Sequence, residues 1–156
     1  MGHAPIAFAE WVRRGVVGLA RALPWAAARM DAALGDRLVE LSADGESAWV
    51  TARSGVTRVF AAPPDGRLPA VTLHTTRRAI VALADGDDTL LDAVLSGRVV
   101  LRGDVDDLVA VHDALMAFLQ GAVRAPDFVD TLVAFRAWQH DRDAHSPPEG
   151  APQRHG

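Results

Sequence analysis

The sequence predicts an α+β fold, and three observations carry that expectation. Residues 71–119 read without interruption as a strand, two short capped helices, a strand and a long amphipathic helix. Upstream, Asp44-Gly45 stands between two short runs rich in Val, Trp and Thr, the signature of a hairpin turn. Before that, apolar residues recur at helical spacing over residues 6–34. Nearly every element is apolar on one side and carries little reactive chemistry. This points to a shell around an apolar space more than to a reaction centre.

The elements follow in order. Residues 6–23 form an amphipathic helix with Phe8, Val12, Val16, Leu19 and Leu23 on one face. Pro24 suits the first turn of a second helix, 24–34, and Gly35 its stop. Strands are expected over 37–42, 47–53 and 56–61, then, after a Pro- and Gly-rich loop, over 70–74. Thr76 is placed to cap the next helix, which Gly86 closes. Asp87 or Asp88 is the expected cap of a short helix with Leu91, Val94 and Leu95 on one face and Gly97 as its stop. In the strand 98–102, Val99 and Leu101 face one way, and Arg98, Val100 and Arg102 the other. Asp104 and Asp107 resemble a capping box for a long helix with Leu108, Val111, Leu115, Phe118 and Leu119 buried. Pro126 opens a last helix with Phe128, Leu132 and Phe135 on one face, and the Pro- and Gly-rich tail from Ser146 is expected to be disordered.

Composition narrows the function. The 156 residues are 49% hydrophobic with a net charge of −4, enough for a real core and without the basic stripe of a nucleic-acid binder. No run of eighteen apolar residues offers a membrane span, and the first residues do not read as a secretory signal. There is no lysine, cysteine or tyrosine, which removes Schiff-base, thiolate and phenolic chemistry and disulfides. The residue bias and the missing cysteine fit a cytoplasmic protein of a GC-rich bacterium.

The segment LLDAVLSGRVVLRGDVDDLVAVHDAL, together with the order of elements, resembles the sterol carrier protein type 2 family, including its small stand-alone bacterial members. The resemblance covers roughly residues 36–120, with Gly97 to Asp104 its most specific short piece. It implies a five-stranded, mostly antiparallel sheet covered by helices on one face, with an apolar tunnel between them for a sterol, fatty acid or acyl ester. It also implies mostly non-enzymatic members. The chain departs from the minimal module at both ends, which suggests four parts: a helical extension (1–35), the lipid-binding domain (36–122), a C-terminal helix that could serve as a lid (123–142) and a tail (143–156).

An apolar guest binds because its surface leaves water, at about 25 cal/mol per Å². Pockets for such guests hold roughly 300–1,000 Å³ with few polar anchors. The candidate lining is Trp49, Phe60, Leu73, Ile80, Leu91, Leu95, Leu115, Phe118, Phe128, Leu132 and Phe135. Each of these taken alone is more simply a core residue. His74 and Arg77 are the candidate polar anchors at a tunnel mouth, where Arg77 or Arg78 would meet a carboxylate or phosphate. The plainer account makes them a strand-end histidine and solvated arginines.

No metal, cofactor or catalytic residue is assigned. The histidines lack metal-site spacing, the aspartates sit at helix starts, and there is no Gly-x-Ser-x-Gly or Gly-x-Gly-x-x-Gly motif. The preferred reading is reversible binding or transfer of a hydrophobic small molecule or lipid, with no nucleic-acid partner and no stable membrane insertion. Two alternatives stand: a cavity enzyme such as a cyclase or isomerase acting by positioning, and an interaction module that dimerises through its terminal helices.

Overall fold

In the computed structural model, residues 6–122 are described, together with Arg124, Ala125, Pro126, Asp130, Val133 and Arg136. The described elements are α1 (Phe8–Ala22), α2 (Pro24–Leu34), β1 (Val39–Ala43), β2 (Glu46–Thr51), β3 (Arg58–Phe60), β4 (Val71–Thr75), α3 (Arg77–Asp85), α4 (Leu90–Leu95), β5 (Val100–Gly103) and α5 (Val105–Ala122). The strands make one sheet in the order β3-β2-β1-β4-β5. Only β1 and β4 run parallel; the other three pairings are antiparallel. The fold is therefore α+β with a mostly antiparallel five-stranded sheet, as the sequence predicts.

Local chemistry fixes the ends of these elements. Asp44 and Gly45 close the β1–β2 hairpin with φ of 50° and 83°, the left-handed pair of a type I′ turn. Gly86 ends α3 in the left-handed region. The Thr76 side chain accepts from the Ala79 N–H at 3.1 Å and caps α3. Thr76→Ala is expected to cost about 1 kcal/mol in a urea titration. The cap of α4 is Thr89, which accepts from Asp92 N–H at 3.1 Å, and not an aspartate. Asp88 is engaged elsewhere: Oδ1 accepts from Thr89 N–H at 3.0 Å and Oδ2 pairs with Arg98 at 2.7 Å. Asp107 is turned to Arg37, whose Nε–H donates to Oδ1 at 2.8 Å.

Strand register sorts the two faces of the sheet. Val39, Leu41 and Ala43 of β1 stand level with Val71, Leu73 and Thr75 of β4 and with Val50, Ala48 and Glu46 of β2. Leu101 extends the Leu73 row onto β5, and Val59 extends the Val50 row onto β3. This is the inner face. α1 lies across β2 and β3, α5 lies across β4 and β5, and α2 packs along α5. The main core joins α1, α2 and α5 to the sheet through Phe8, Trp11, Leu19, Ala26, Met30, Val39, Val71 and Val111. A smaller cluster, Leu73, Ala93 and Val99, lies under α4. The N-terminal helices thus share one core with the sheet.

Candidate functional site

The inner face does not close completely. Between sheet and helices lies an apolar cavity of about 150 Å³. Its wall takes residues from both core clusters, so the hollow sits at the seam between them. The sheet contributes Val39, Leu41, Val50, Leu73 and Thr75. α1 and α2 contribute Phe8, Trp11, Val12, Val16, Met30 and Leu34, and α5 contributes Val111, Ala114, Leu115, Phe118 and Leu119. Ile80 and Leu83 of α3 and Leu90 of α4 close the remaining side. Phe8 and Trp11 stack with their ring centroids 6.2 Å apart.

The wall is hydrocarbon almost throughout. Its one hydroxyl, on Thr75, donates to the Arg98 carbonyl at 3.0 Å. Such a space holds water poorly, because a buried water needs two or more polar partners. Among the described residues no three His, Asp or Glu side chains come together to hold a metal.

The structure brings Leu73, Ile80, Leu115 and Phe118 together on the cavity wall. Trp49, Phe60 and His74 stand on the other face of the sheet. Trp49 and Phe60 are cross-strand partners there, and His74 is exposed beside Val100. Their strand positions are out of phase with Val50, Val59 and Leu73, and alternation turns them away from the hollow. Leu91 and Leu95 also point outward, 67% and 76% exposed, because α4 turns Leu90 and Ala93 inward instead. Arg77 is not solvated at all: it is 1% exposed and paired with Glu46. Phe128, Leu132 and Phe135 lie outside the described residues. In their segment, Arg136 pairs with Asp85 at the end of α3.

The candidate lining names no residue of α1 or α2, although an added N-terminal region can close or reshape such a tunnel. The signal was present in the helical stripe Phe8, Val12 and Val16, but these helices read as an extension of the module and not as part of its wall. The cavity-facing set Val39, Leu41 and Val50 follows from strand alternation once the register is known.

No protein-family profile and no curated protein matches the sequence. Solved structures do. The chain is similar to the sterol carrier protein domain 2 of Helicoverpa armigera, with TM-score 0.52 and 14% identity, over 76% of this chain and 94% of that one. It is similar to a Thermus thermophilus protein described as possibly a sterol carrier protein, with TM-score 0.50 and 13% identity, over 80% and 95%. It also matches the sec-alkylsulfatase Pisa1 from Pseudomonas sp. at TM-score 0.40 and 21% identity, over 55% of this chain but only 13% of that one. The fold is that of sterol carrier protein 2 domains. Among the described residues, no helix is long and apolar enough to cross a membrane.

Proposed function

We propose that this chain, which has the fold of sterol carrier protein 2 domains, binds and carries a hydrophobic small molecule in its sheet–helix cavity without transforming it. The observation that carries this reading is the wall itself, an apolar surface lining a partly open space between sheet and helices. The described wall carries no charged group, and its one hydroxyl, on Thr75, is engaged with the Arg98 carbonyl, which favours binding over acid–base or covalent chemistry. What the wall offers is burial of hydrocarbon, with orientation left to shape.

At about 150 Å³ the hollow at rest is small, comparable to cavities that stay dry and admit a single benzene. A fatty acyl chain or sterol needs more room, and α3 and α4 are the elements that can yield it. Only Arg77, Ala79 and Ala93 are buried on those two helices, so moving them exposes little core. The resting hollow takes the end of a chain, and outward movement of α3 and α4 admits the rest.

Calorimetric titration with decanol, a neutral single-chain probe, tests the reading. Saturable binding is expected. Ala114→Leu fills the hollow from α5 and is expected to weaken binding at least about tenfold while leaving the melting temperature unchanged or raised. Equal affinity in both proteins, or no saturable binding by the wild type, would remove the cavity from the function.

A further inference from the structure

The helices α3 and α4 form one flap on the sheet. Each is continuous with a strand, α3 with β4 through Thr76 and α4 with β5 through residues 96–99. The free edge of the flap is the corner between them, residues 86–89. Its inner side, Ile80, Leu83 and Leu90, is wall of the cavity. Asp88 sits at the corner and moves with both helices. Its backbone N–H donates to the Ala82 carbonyl of α3 at 3.3 Å, and its Oδ1 accepts from the N–H of Thr89, the cap of α4, at 3.0 Å. Arg98 belongs to the sheet side. It stands just before β5, and its carbonyl accepts from the Thr75 hydroxyl of the wall at 3.0 Å. The two residues meet as an ion pair, with the Arg98 guanidinium 2.7 Å from Asp88 Oδ2. The Asp88 side chain is 9% exposed and that of Arg98 54%. Two further ties reach the flap. Val99 N–H donates to the Ala93 carbonyl at 3.0 Å where α4 runs into β5, which makes this bond a hinge and not a clasp. Asp85 pairs with Arg136, but both side chains are partly exposed, so this pair holds less.

We infer that the Asp88–Arg98 pair sets the size of guest that the cavity accepts, by holding α3 and α4 down over the resting hollow. The inference rests on the proposed carrier function and assigns that function its size filter. A guest that fits within about 150 Å³ binds with the pair intact. A longer guest must lift the corner, which parts Asp88 from Arg98 and lowers its affinity by the cost of opening. The pair is suited to this role. Asp88 Oδ2 is enclosed yet takes no well-aligned hydrogen bond, so charge alone holds it to Arg98. When the corner lifts, the carboxylate gains water, and Arg98, already half in solvent, loses little. The clasp therefore biases the flap closed, while burial of roughly one or two further methylene groups is enough to open it.

Calorimetric titrations with benzene and decanol test the filter on the full chain, the first sized for the resting hollow and the second longer than it. Asp88→Asn keeps the oxygen that the Thr89 N–H uses and removes the charge. It is expected to raise the affinity for decanol about fivefold and to leave that for benzene unchanged. Without ligand, amide hydrogen exchange is expected to quicken over α3 and α4 and to stay as in wild type over α2 and α5. Should Asp88→Asn not fold, Arg98→Met serves in its place. It leaves the enclosed carboxylate without its cation, which drives the corner outward, and is expected to shift both readouts in the same direction. A merely destabilising change would weaken both ligands together. If the variants alter the two affinities by one factor, or leave both unchanged, the filter is overturned while the carrier function stands. If neither ligand binds any form saturably, the carrier function and the filter fall together.

Discussion

Leu19→Ala is expected to lower stability by about 3 kcal/mol, and Gly121→Ala to change sign in its presence. Leu19 is 1% exposed and packs where α1, α2 and α5 meet. A Cβ added at Gly121 would stand 2.2 Å from Leu19 Cδ1 and 3.1 Å from the Ala26 Cβ. In the wild-type chain that methyl has nowhere to go, since Leu19 is enclosed on every side. Overpacking of this kind typically costs about 1–3 kcal/mol, more than the roughly 1 kcal/mol that Ala gains over Gly in a helix. Once Leu19 is truncated, the same methyl enters the space left behind and the helix gain remains. Gly121→Ala should then stabilise. A double-mutant cycle by thermal or urea unfolding reads this directly, and additive effects would contradict the packing described. The Leu19→Ala change alone should lower the melting temperature by about 6–12 °C for a domain of this size. These helices carry most of the cavity wall, so their fit sets its shape.

The second large effect is expected at Gly103. Here the obstruction is backbone: a Cβ would lie 2.7 Å from the Ala70 carbonyl oxygen and 3.0 Å from Val71 Cγ2. Gly103 is the register partner of Val71 at the end of β5. A side chain at this position must push β5 away from β4, and no rotamer change can relieve it. Gly103→Val is expected to cost about 3 kcal/mol despite the strand preference of valine. Arg102→Val, on the exposed neighbour in the same strand, is the control and should fall within about 0.5 kcal/mol of wild type. Similar melting temperatures for the two variants would refute the close approach. The glycine before Asp104 thus has a packing reason independent of any guest.

Much of the architecture was legible in the sequence because local chemistry specifies it. Asp44-Gly45 demanded a tight hairpin, Thr76 a helix start and Gly86 a helix end, and each occurs where expected. The boundaries of α2 followed from Pro24 and Gly35. The site was less legible, because it depends on which side of an element faces inward. Trp49 and Phe60 read as buried lining because they are large and aromatic. They are instead register partners on β2 and β3, half-buried on the far face. Leu91 and Leu95 lost to Leu90 and Ala93 because a six-residue helix has too few turns for its apolar stripe to be phased from sequence. Arg77 read as either a solvated arginine or a ligand anchor. Its burial against Glu46 depends on a partner across the β1–β2 hairpin, at a distance in sequence that spacing does not reveal.

The two outermost strands have a consequence for how copies of this chain behave in a crowded solution. β3 has three residues and β5 four, and each carries an exposed arginine, Arg58 and Arg102. Stubs of that length, guarded by guanidinium groups, make poor templates for recruiting a foreign strand. If the chain acts as the proposed carrier, uncovering greasy surface on loading and unloading would invite fibrous stacking with its neighbours, and these blunted margins restrain it.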